Sequence, residues 1–180
     1  MLYSYDQCIE IYGTKYLVRK AVENGDLYQL DRGIYSDKKH VSEDAVISFK
    51  YPKGILTLNG AFYYYGLTDV IPNKHYLATD RNSSKIHDNR VVQIFEHQDL
   101  LNLGAVSIVK DGCQINIYNR ERLLVELLRH KTKFPFDYYK EILLNYREIV
   151  NDIDIRAVQD YACEVPKSSK IMETLQLEVL

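Results

Sequence analysis

The stretch GTKYLVRKAVENGDLYQLDRGIYS, residues 13–36, decides the fold of the N-terminal part of this chain. Thr14 belongs to the residue types that cap helix N-termini best, and Asn24-Gly25 is a common way for a helix to end. We therefore predict a helix over residues 15–24. Its predicted inward stripe is Leu17, Val18, Ala21 and Val22.

The segments on either side of this helix are also predicted to form regular secondary structure. Before it, Ser4 and Gln7 match a capping box, so a first helix is expected to begin there and to end at Gly13. After it, two short alternating runs flank Asp31-Arg32-Gly33, the composition of a tight β-hairpin. Helix, short turn, helix and hairpin is the order of a winged helix-turn-helix.

A winged domain normally has one more helix, yet only three residues precede Ser4. Two explanations stay open. Either that helix is missing from the chain, or the segment SEDAVISFKYP, residues 42–52, forms a third helix that takes its place. We predict a winged domain over residues 1–50 and a larger domain over residues 51–180.

The larger domain has the pattern of a small sheet followed by helices. A short helix is predicted to open at Asn59. Strands are predicted at residues 74–79, 90–96, 104–109 and 113–118, and helices at 120–130, 136–150, 153–165 and 168–180. The turn Lys110-Asp111-Gly112 is predicted to close a hairpin. The fold class is therefore α+β.

Three consecutive tyrosines, Tyr63 to Tyr65, follow the helix start at Asn59. Neighbouring helical positions point about 100° apart, so the three rings cannot form one stacking surface for nucleic acid. At least one ring is expected to turn inward and fill the joint between helix and sheet. One tyrosine is expected to be exposed for a partner.

The outward face of the helix over residues 15–24 carries the candidate DNA contacts. Long donors on such a face reach phosphates and base edges in the major groove. The predicted DNA-binding residues are Lys15, Tyr16, Arg19 and Lys20 on the helix, Arg32 at the hairpin tip, and Lys38 and Lys39 just beyond it. The competing interpretation is an ordinary solvated helix face.

A second group of cations lies on the predicted helix NRERLLVELLRH, whose leucines face inward. The cations are placed on its outer faces and end: Arg120, Arg122, Arg129, His130 and Lys131. The helix dipole alone favours cations at a C-terminal end. A functional patch here would suit RNA, a nucleotide or an acidic partner protein.

Catalytic and metal-binding patterns are weak. The sequence has no P-loop, no nucleotide-binding glycine fingerprint, no GxSxG and no HExxH, and its five histidines are scattered. Asp80 and Asp88 flank a polar loop that suits a surface better than an active site. The three cysteines read as small core residues. We predict a non-enzyme with no catalytic residue, no metal and no cofactor.

Bulk composition limits the partners. The net charge is only −2, so the whole molecule does not attract nucleic acid electrostatically. No apolar run approaches the ~20 residues that cross a bilayer, and the first residues lack the pattern of a secretory signal. We therefore expect a cytoplasmic protein with no membrane partner.

Three stretches together resemble the AbiEi-type antitoxins of bacterial type IV toxin-antitoxin and phage-defence systems. The first is ENGDLYQLDRGIYSD, which is similar to that family's hairpin closing in Arg-Gly-x-Tyr through Arg32, Gly33 and Tyr35. The second, TLNGAFYYYGLTDVIPNKHYLAT, is similar to the family's strand-entry block through Ala61, Tyr63, Gly66, Leu67, Asp69 and Pro72. The third, YNRERLLVELLRH, is similar to the family's Arg-x-Leu-Leu-Asp-Leu helix through Arg122, Leu123 and Leu124.

The resemblance implies a two-part antitoxin. The winged domain would bind its own promoter DNA and repress transcription, and the C-terminal domain would counter a cognate nucleotidyltransferase-like toxin without a stable complex. An antitoxin surface is assigned to Arg120, Arg122, Arg129 and Lys131. Two alternatives stay open: an interaction module that neutralises a toxin by direct binding with little or no DNA binding, and an enzyme such as a nuclease that uses Asp80 and Asp88.

Overall fold

The structure, a computed structural model, describes all 180 residues as a mixed α+β fold in two compact units. The first unit comprises Met1–Lys53 and Ser107–Asn116, and the second comprises Gly54–Val106 and Ile117–Leu180. None of the helices combines the length and apolarity that crossing a bilayer requires.

The first unit is built from three short strands and three helices. In chain order these are β1 (Leu2–Ser4), α1 (Tyr5–Tyr12), α2 (Lys15–Asn24), β2 (Tyr28–Asp31), β3 (Ile34–Ser36) and α3 (Glu43–Lys50). The strands form an antiparallel sheet in the order β1-β3-β2. Its core contains Cys8, Val18, Ala21, Leu27 and Tyr35.

The predicted helix ends of this unit are confirmed. The backbone N–H of Ser4 donates to Gln7 Oε1 at 2.8 Å and the N–H of Gln7 donates to Ser4 Oγ at 3.2 Å, which completes the capping box. Thr14 Oγ1 accepts from the N–H of Leu17 at 3.3 Å. Gly25 ends α2 with φ +79°, a left-handed conformation that glycine adopts without strain.

Two predictions for this unit need correction. Leu17 is not part of the inward stripe: it is 43% exposed, because the core side of α2 is centred on Val18 and Ala21. The residues before Ser4 form β1, which pairs with β3 from Leu2↔Ser36 to Ser4↔Ile34, and three residues are too few for a strand pattern to be recognised.

The hairpin tip at residues 107–116 also belongs to the first unit, although the predicted domain boundary at residue 50 left it out. Polar contacts hold it there. The backbone N–H of Ser42 donates to Asp111 Oδ2 at 2.9 Å, and Lys110 Nζ donates to Asp44 Oδ2 at 3.1 Å. Such contacts join residues nearly 70 positions apart, so local sequence patterns cannot reveal them.

The second unit carries the larger sheet and most of the helices. Its elements are β4 (Ile55–Leu56), α4 (Leu58–Tyr64), β5 (His75–Asp80), β6 (Val91–Glu96), α5 (Gln98–Leu101), α6 (Arg120–Arg129), α7 (Phe136–Glu148), α8 (Ile155–Glu164) and α9 (Ser168–Glu178). Strands β7 (Ala105–Lys110) and β8 (Cys113–Tyr118) complete a five-stranded sheet in the order β6-β5-β4-β8-β7. The predicted strands and helices of this part are confirmed, and β4 and α5 are additions.

The sheet mixes directions. Strand β4 runs antiparallel to β5 and parallel to β8, while β5 and β6 are parallel, with His75 opposite Val91 and Asp80 opposite Glu96. The buried side chains of α6 include Leu123, Leu124 and Leu127, none of them exposed.

The tyrosine run is placed differently from the prediction. Tyr63 and Tyr64 are both exposed and Tyr65 is half-buried, so two rings rather than one face solvent. Ala61, Phe62 and Leu67 bury the inner side of this segment instead. Cys8 and Cys113 are buried as expected, whereas Cys163 is exposed.

Candidate functional site

The outward face of α2 is the first candidate site. Val18 and Ala21 point into the core of the first unit, so positions on the opposite side of the helix must face solvent. Lys15, Tyr16, Arg19 and Lys20 are all exposed, and Tyr16 is 71% exposed. The hairpin residue Arg32 and the following Lys38 and Lys39 are exposed as well.

Lys15 occupies an electrostatically unfavourable place for an isolated helix. It is the first residue of α2, and no acidic side chain stands in the first turn. A cation near the positive end of the helix dipole destabilises a helix by roughly 0.3–1 kcal/mol. Helix stability therefore does not explain Lys15.

Most of these cations have no internal partner. Arg19 Nε lies 2.9 Å from Glu23 Oε1 in an exposed i,i+4 pair, whereas Lys15, Lys20, Arg32, Lys38 and Lys39 take part in no ion pair. Several acidic side chains of the same unit form ion pairs with other cations. Lys50 pairs with Asp31, Lys110 pairs with Asp44, and the amino terminus pairs with Asp37.

Lys15 and Arg19 also line a recess of about 160 Å³ with Gln29 and Tyr35. Val18 and Val22 line the recess as well, so it lies where the solvent-exposed side of α2 meets the core of the first unit. The structure thus brings two of the four predicted helix residues, Lys15 and Arg19, to one recess, while Tyr16 and Lys20 are exposed outside it.

No protein-family model matches the chain, and no curated protein matches it. Among solved structures, the crystal structure of the Rv2827c protein from Mycobacterium tuberculosis is similar, with a TM-score of 0.66. The two chains share 14% identity, and the similarity covers 98% of this chain and 71% of that one. At this identity the similarity concerns the fold alone.

The predicted surface on α6 is wrong for two of its residues. Arg122 is completely buried and the side chain of Arg129 is only 14% exposed, although both were placed on the outer faces of the helix. The sequence of α6 alone does not predict that these charges are buried, because one of the carboxylates that neutralise them, Glu96, lies on β6. Arg120 and Lys131 are half-buried.

The two arginines belong to a buried charge cluster that we define as Glu96, Arg122, Glu126, Arg129 and His130. Arg122 Nε donates to Glu126 Oε1 at 3.1 Å, and Arg122 Nη2 lies 2.9 Å from the same oxygen without meeting hydrogen-bond geometry. Arg129 Nη2 pairs with Glu96 Oε1, and Arg129 Nη1 lies 3.2 Å from Glu126 Oε1.

The cluster holds Glu126 in its charged form. Burial raises the pKa of this carboxyl, but His130 and the guanidinium groups of Arg122 and Arg129 outweigh burial and lower the pKa. His130 Nε2 lies 3.2 Å from Glu126 Oε2. The Arg122 guanidinium also stands 5.0 Å from the ring centroid of Tyr118, a cation-π distance.

Three members of the cluster also have the atom types of a metal site. Ligand atoms of Glu96, Glu126 and His130 lie within 4.8 Å of one another. Two guanidinium groups already neutralise both carboxylates, so a divalent cation would meet two fixed positive charges at contact distance. The arrangement therefore favours a structural ion network over a metal centre.

Lys131, just after the end of α6, contacts α9. Lys131 Nζ pairs with Glu178, and the hydroxyl of Tyr139 donates to Glu178 Oε2 at 2.6 Å. Burial raises the pKa of Glu178, but these two contacts outweigh it and lower the pKa. Arg129 and Lys131 line a small recess of about 50 Å³ together with Lys167 and Lys170.

Asp80 and Asp88, the carboxylates considered for an enzyme, form hydrogen bonds within their own loop. Asp88 contacts Arg90 at 2.8 Å and 3.0 Å through both of its oxygens. Asp80 Oδ1 accepts from the backbone N–H of Asn82 at 2.7 Å. These are the contacts of a folded loop.

Sequence reasoning missed Glu96 and Glu126. The spacing of Arg122, Glu126 and His130, each four residues apart in sequence, was the available signal, because side chains at i and i+4 of a helix lie side by side. Nothing local marks Glu96, which reaches the cluster from another element.

Proposed function

We propose that the first unit is a winged helix-turn-helix that binds double-stranded promoter DNA, and that the chain is the antitoxin and autorepressor of a type IV toxin-antitoxin system. The observation that carries the proposal is the face of α2. One side of this helix is locked into the core, and the other presents Lys15, Tyr16, Arg19 and Lys20 to solvent.

The dimensions suit a duplex. Ten residues of α2 extend about 15 Å, and a B-DNA major groove about 12 Å wide admits a single α-helix. The exposed pair of Arg19 and Glu23 contributes only about 0.3–0.5 kcal/mol, so a DNA phosphate readily replaces Glu23. Arg32 at the tip of the β2–β3 hairpin is the corresponding contact from the wing.

Strand β1 connects the start of α1 to the hairpin. It pairs with β3 along its whole length, and the N–H of Tyr5 donates to the carbonyl of Gly33 at 3.1 Å. The beginning of α1 is thereby fixed to the hairpin. The proposal therefore needs no preceding helix to hold helix and wing together.

A salt titration with matched variants tests DNA binding. We expect the wild type to bind a duplex from its own upstream region, with affinity that falls steeply as salt rises. The double variant Lys15→Ala/Arg19→Ala is expected to bind more weakly and to lower the slope of log K against log salt by about 2, since each lost phosphate contact removes about 0.9.

The control is Lys85→Ala/Lys140→Ala, which removes two exposed cations of the second unit and changes the net charge equally. An equal loss of affinity in the control would mean that general charge, not α2, drives binding. Failure of the wild type to prefer its upstream duplex over a scrambled duplex would reject the autorepressor proposal.

The antitoxin half of the proposal is supported by the resemblance over Ala61, Gly66, Leu67 and Pro72. Co-expression with a nucleotidyltransferase-like toxin encoded beside the gene tests it. The Lys15→Ala/Arg19→Ala variant is expected to rescue growth as well as the wild type does. Loss of rescue together with intact DNA binding would reverse the proposed division of labour.

The alternative, toxin masking by a basic face of α6, loses its basis because Arg122 and Arg129 are engaged in the buried charge cluster. Co-purification of a stoichiometric complex with the toxin at moderate salt would nevertheless favour direct binding and contradict a type IV mechanism.

A further inference from the structure

A cavity of about 220 Å³ in the second unit has the composition of a small-molecule site. Its apolar walls include Leu58, Tyr76, Ile94 and Phe134. Its polar lining is Asn59, His130 and Lys133. Apolar walls with a few converging polar groups characterise ligand pockets. None of the predicted DNA contacts lines this cavity, and neither does any of the individual residues matched in the antitoxin resemblance.

The polar groups of this cavity are available. Lys133 is exposed and takes part in no ion pair. His130 lines the cavity, and its Nε2 lies 3.2 Å from Glu126 Oε2. Both carboxylates of the buried charge cluster are balanced by Arg122 and Arg129, so the cluster does not repel an incoming anion.

The backbone at the wall is unusual. Leu58 has φ +45°, a conformation that a branched side chain adopts only when its surroundings impose it. Leu58 is also buried, and the next residue, Asn59, contributes to the polar lining. The strained residue thus fixes one wall and the position of one polar group.

The volume and the aromatic walls define the shape of the ligand. A cavity of about 150 Å³ holds benzene, so about 220 Å³ holds one substituted ring or a fused pair of rings but not a whole nucleotide. Tyr76 and Phe134 favour a planar body, because aromatic rings pack face to edge or offset against each other. An acidic substituent would lie at Lys133.

We propose that this cavity binds a small planar aromatic anion, with its ring between Tyr76 and Phe134 and its carboxylate or phosphate at Lys133. Two sources supply this chemistry. One is an aromatic carboxylic acid, and the other is a nucleoside monophosphate whose base occupies the cavity while its phosphate remains at the mouth.

Calorimetric titration of the full chain with 2-naphthoate tests the proposal. We expect one binding site and a Kd about three- to fivefold weaker in Lys133→Met, because an exposed ion pair contributes up to about that factor. The control Lys140→Met changes the same charge at an exposed position outside the cavity and is expected to bind like the wild type. Uncharged 2-naphthalenemethanol is expected to bind the wild type and Lys133→Met equally.

Absence of binding at ligand concentrations of about 1 mM, or equal weakening in Lys133→Met and Lys140→Met, would overturn the proposal. A second variant, Ile94→Phe, fills the cavity and should abolish binding of both naphthalene probes; unchanged binding would place the ligand elsewhere. Displacement of 2-naphthoate by adenosine 5′-monophosphate identifies a nucleotide, and displacement by salicylate identifies an aromatic acid. Displacement by neither overturns the assignment.

Discussion

A single methyl group at Gly104 should disrupt the packing of the buried charge cluster. A Cβ atom at this position would stand 2.5 Å from Arg122 Cβ and 2.9 Å from Asn119 Oδ1. Arg122 cannot move aside, since it is fully buried and bound to Glu126, and Asn119 Oδ1 accepts the N–H of Arg122 at 2.8 Å.

Two effects make up the expected loss for Gly104→Ala. The residue has φ +73°, which costs a non-glycine residue roughly 1–2 kcal/mol. Overpacking of a rigid interior adds roughly 1–3 kcal/mol. The free energy of unfolding should therefore fall by about 2–5 kcal/mol.

Gly66→Ala is the matched control for the conformational part. Gly66 has φ +68° and lies in the same unit, but an added Cβ meets nothing within 4 Å. Urea unfolding followed by far-UV circular dichroism measures both variants, since the chain has no tryptophan. Equal destabilisation of the two variants would refute the argument that Arg122 is held rigidly in place.

Two further predictions concern Glu126 and the core side of α2. Glu126→Gln should lower the free energy of unfolding at pH 7 by about 3–5 kcal/mol, because it removes the nearer of the two carboxylates that neutralise the buried Arg122 guanidinium. The pKa of Glu126 is lower in the folded protein than its ordinary value of about 4.3 in the unfolded chain. The stability that charged Glu126 contributes to the wild type should therefore be lost as the pH falls from about 4.3 through the pKa of the folded state. Urea titrations at pH 7 and pH 4 test whether the difference in free energy of unfolding between wild type and Glu126→Gln becomes smaller. Val18→Ala should destabilise the first unit by about 2 kcal/mol and Leu17→Ala by less, although the leucine loses more carbon atoms; the opposite order in thermal melts would contradict the corrected inward stripe.

The buried charge cluster changes the role assigned to the arginines of α6. A face rich in arginine looks like a binding surface when only the helix is considered. In the folded unit Arg122 and Arg129 neutralise Glu96 and Glu126, so they stabilise the fold and are not available to a partner. The exposed cations of the first unit differ, because most of them take part in no ion pair.

Local patterns were sufficient for the elements that local interactions form. The capping box at Ser4, the cap at Thr14 and the glycine at position 25 each satisfy backbone groups within a few residues, so the ends of α1 and α2 follow directly from the sequence. The same holds for the hairpin turns, whose positive φ angles at Gly33 and Gly112 suit glycine.

Tertiary structure alone decided which charges are buried and where the short strands pair. Glu96 contacts Arg129 across 33 positions, Asp111 contacts Ser42 across 69, and β1 pairs with residues of β3 that lie 30 or more positions later. The two partners of each pair are too far apart in sequence to lie in one helical turn or one hairpin, so the hydrophobic periodicity of the sequence cannot predict these contacts. The sequence by itself determined the helices, the turns and the exposed basic face of α2, because those depend on neighbours along the chain; burial of Arg122 and the cavity beside His130 exist only because distant elements pack together.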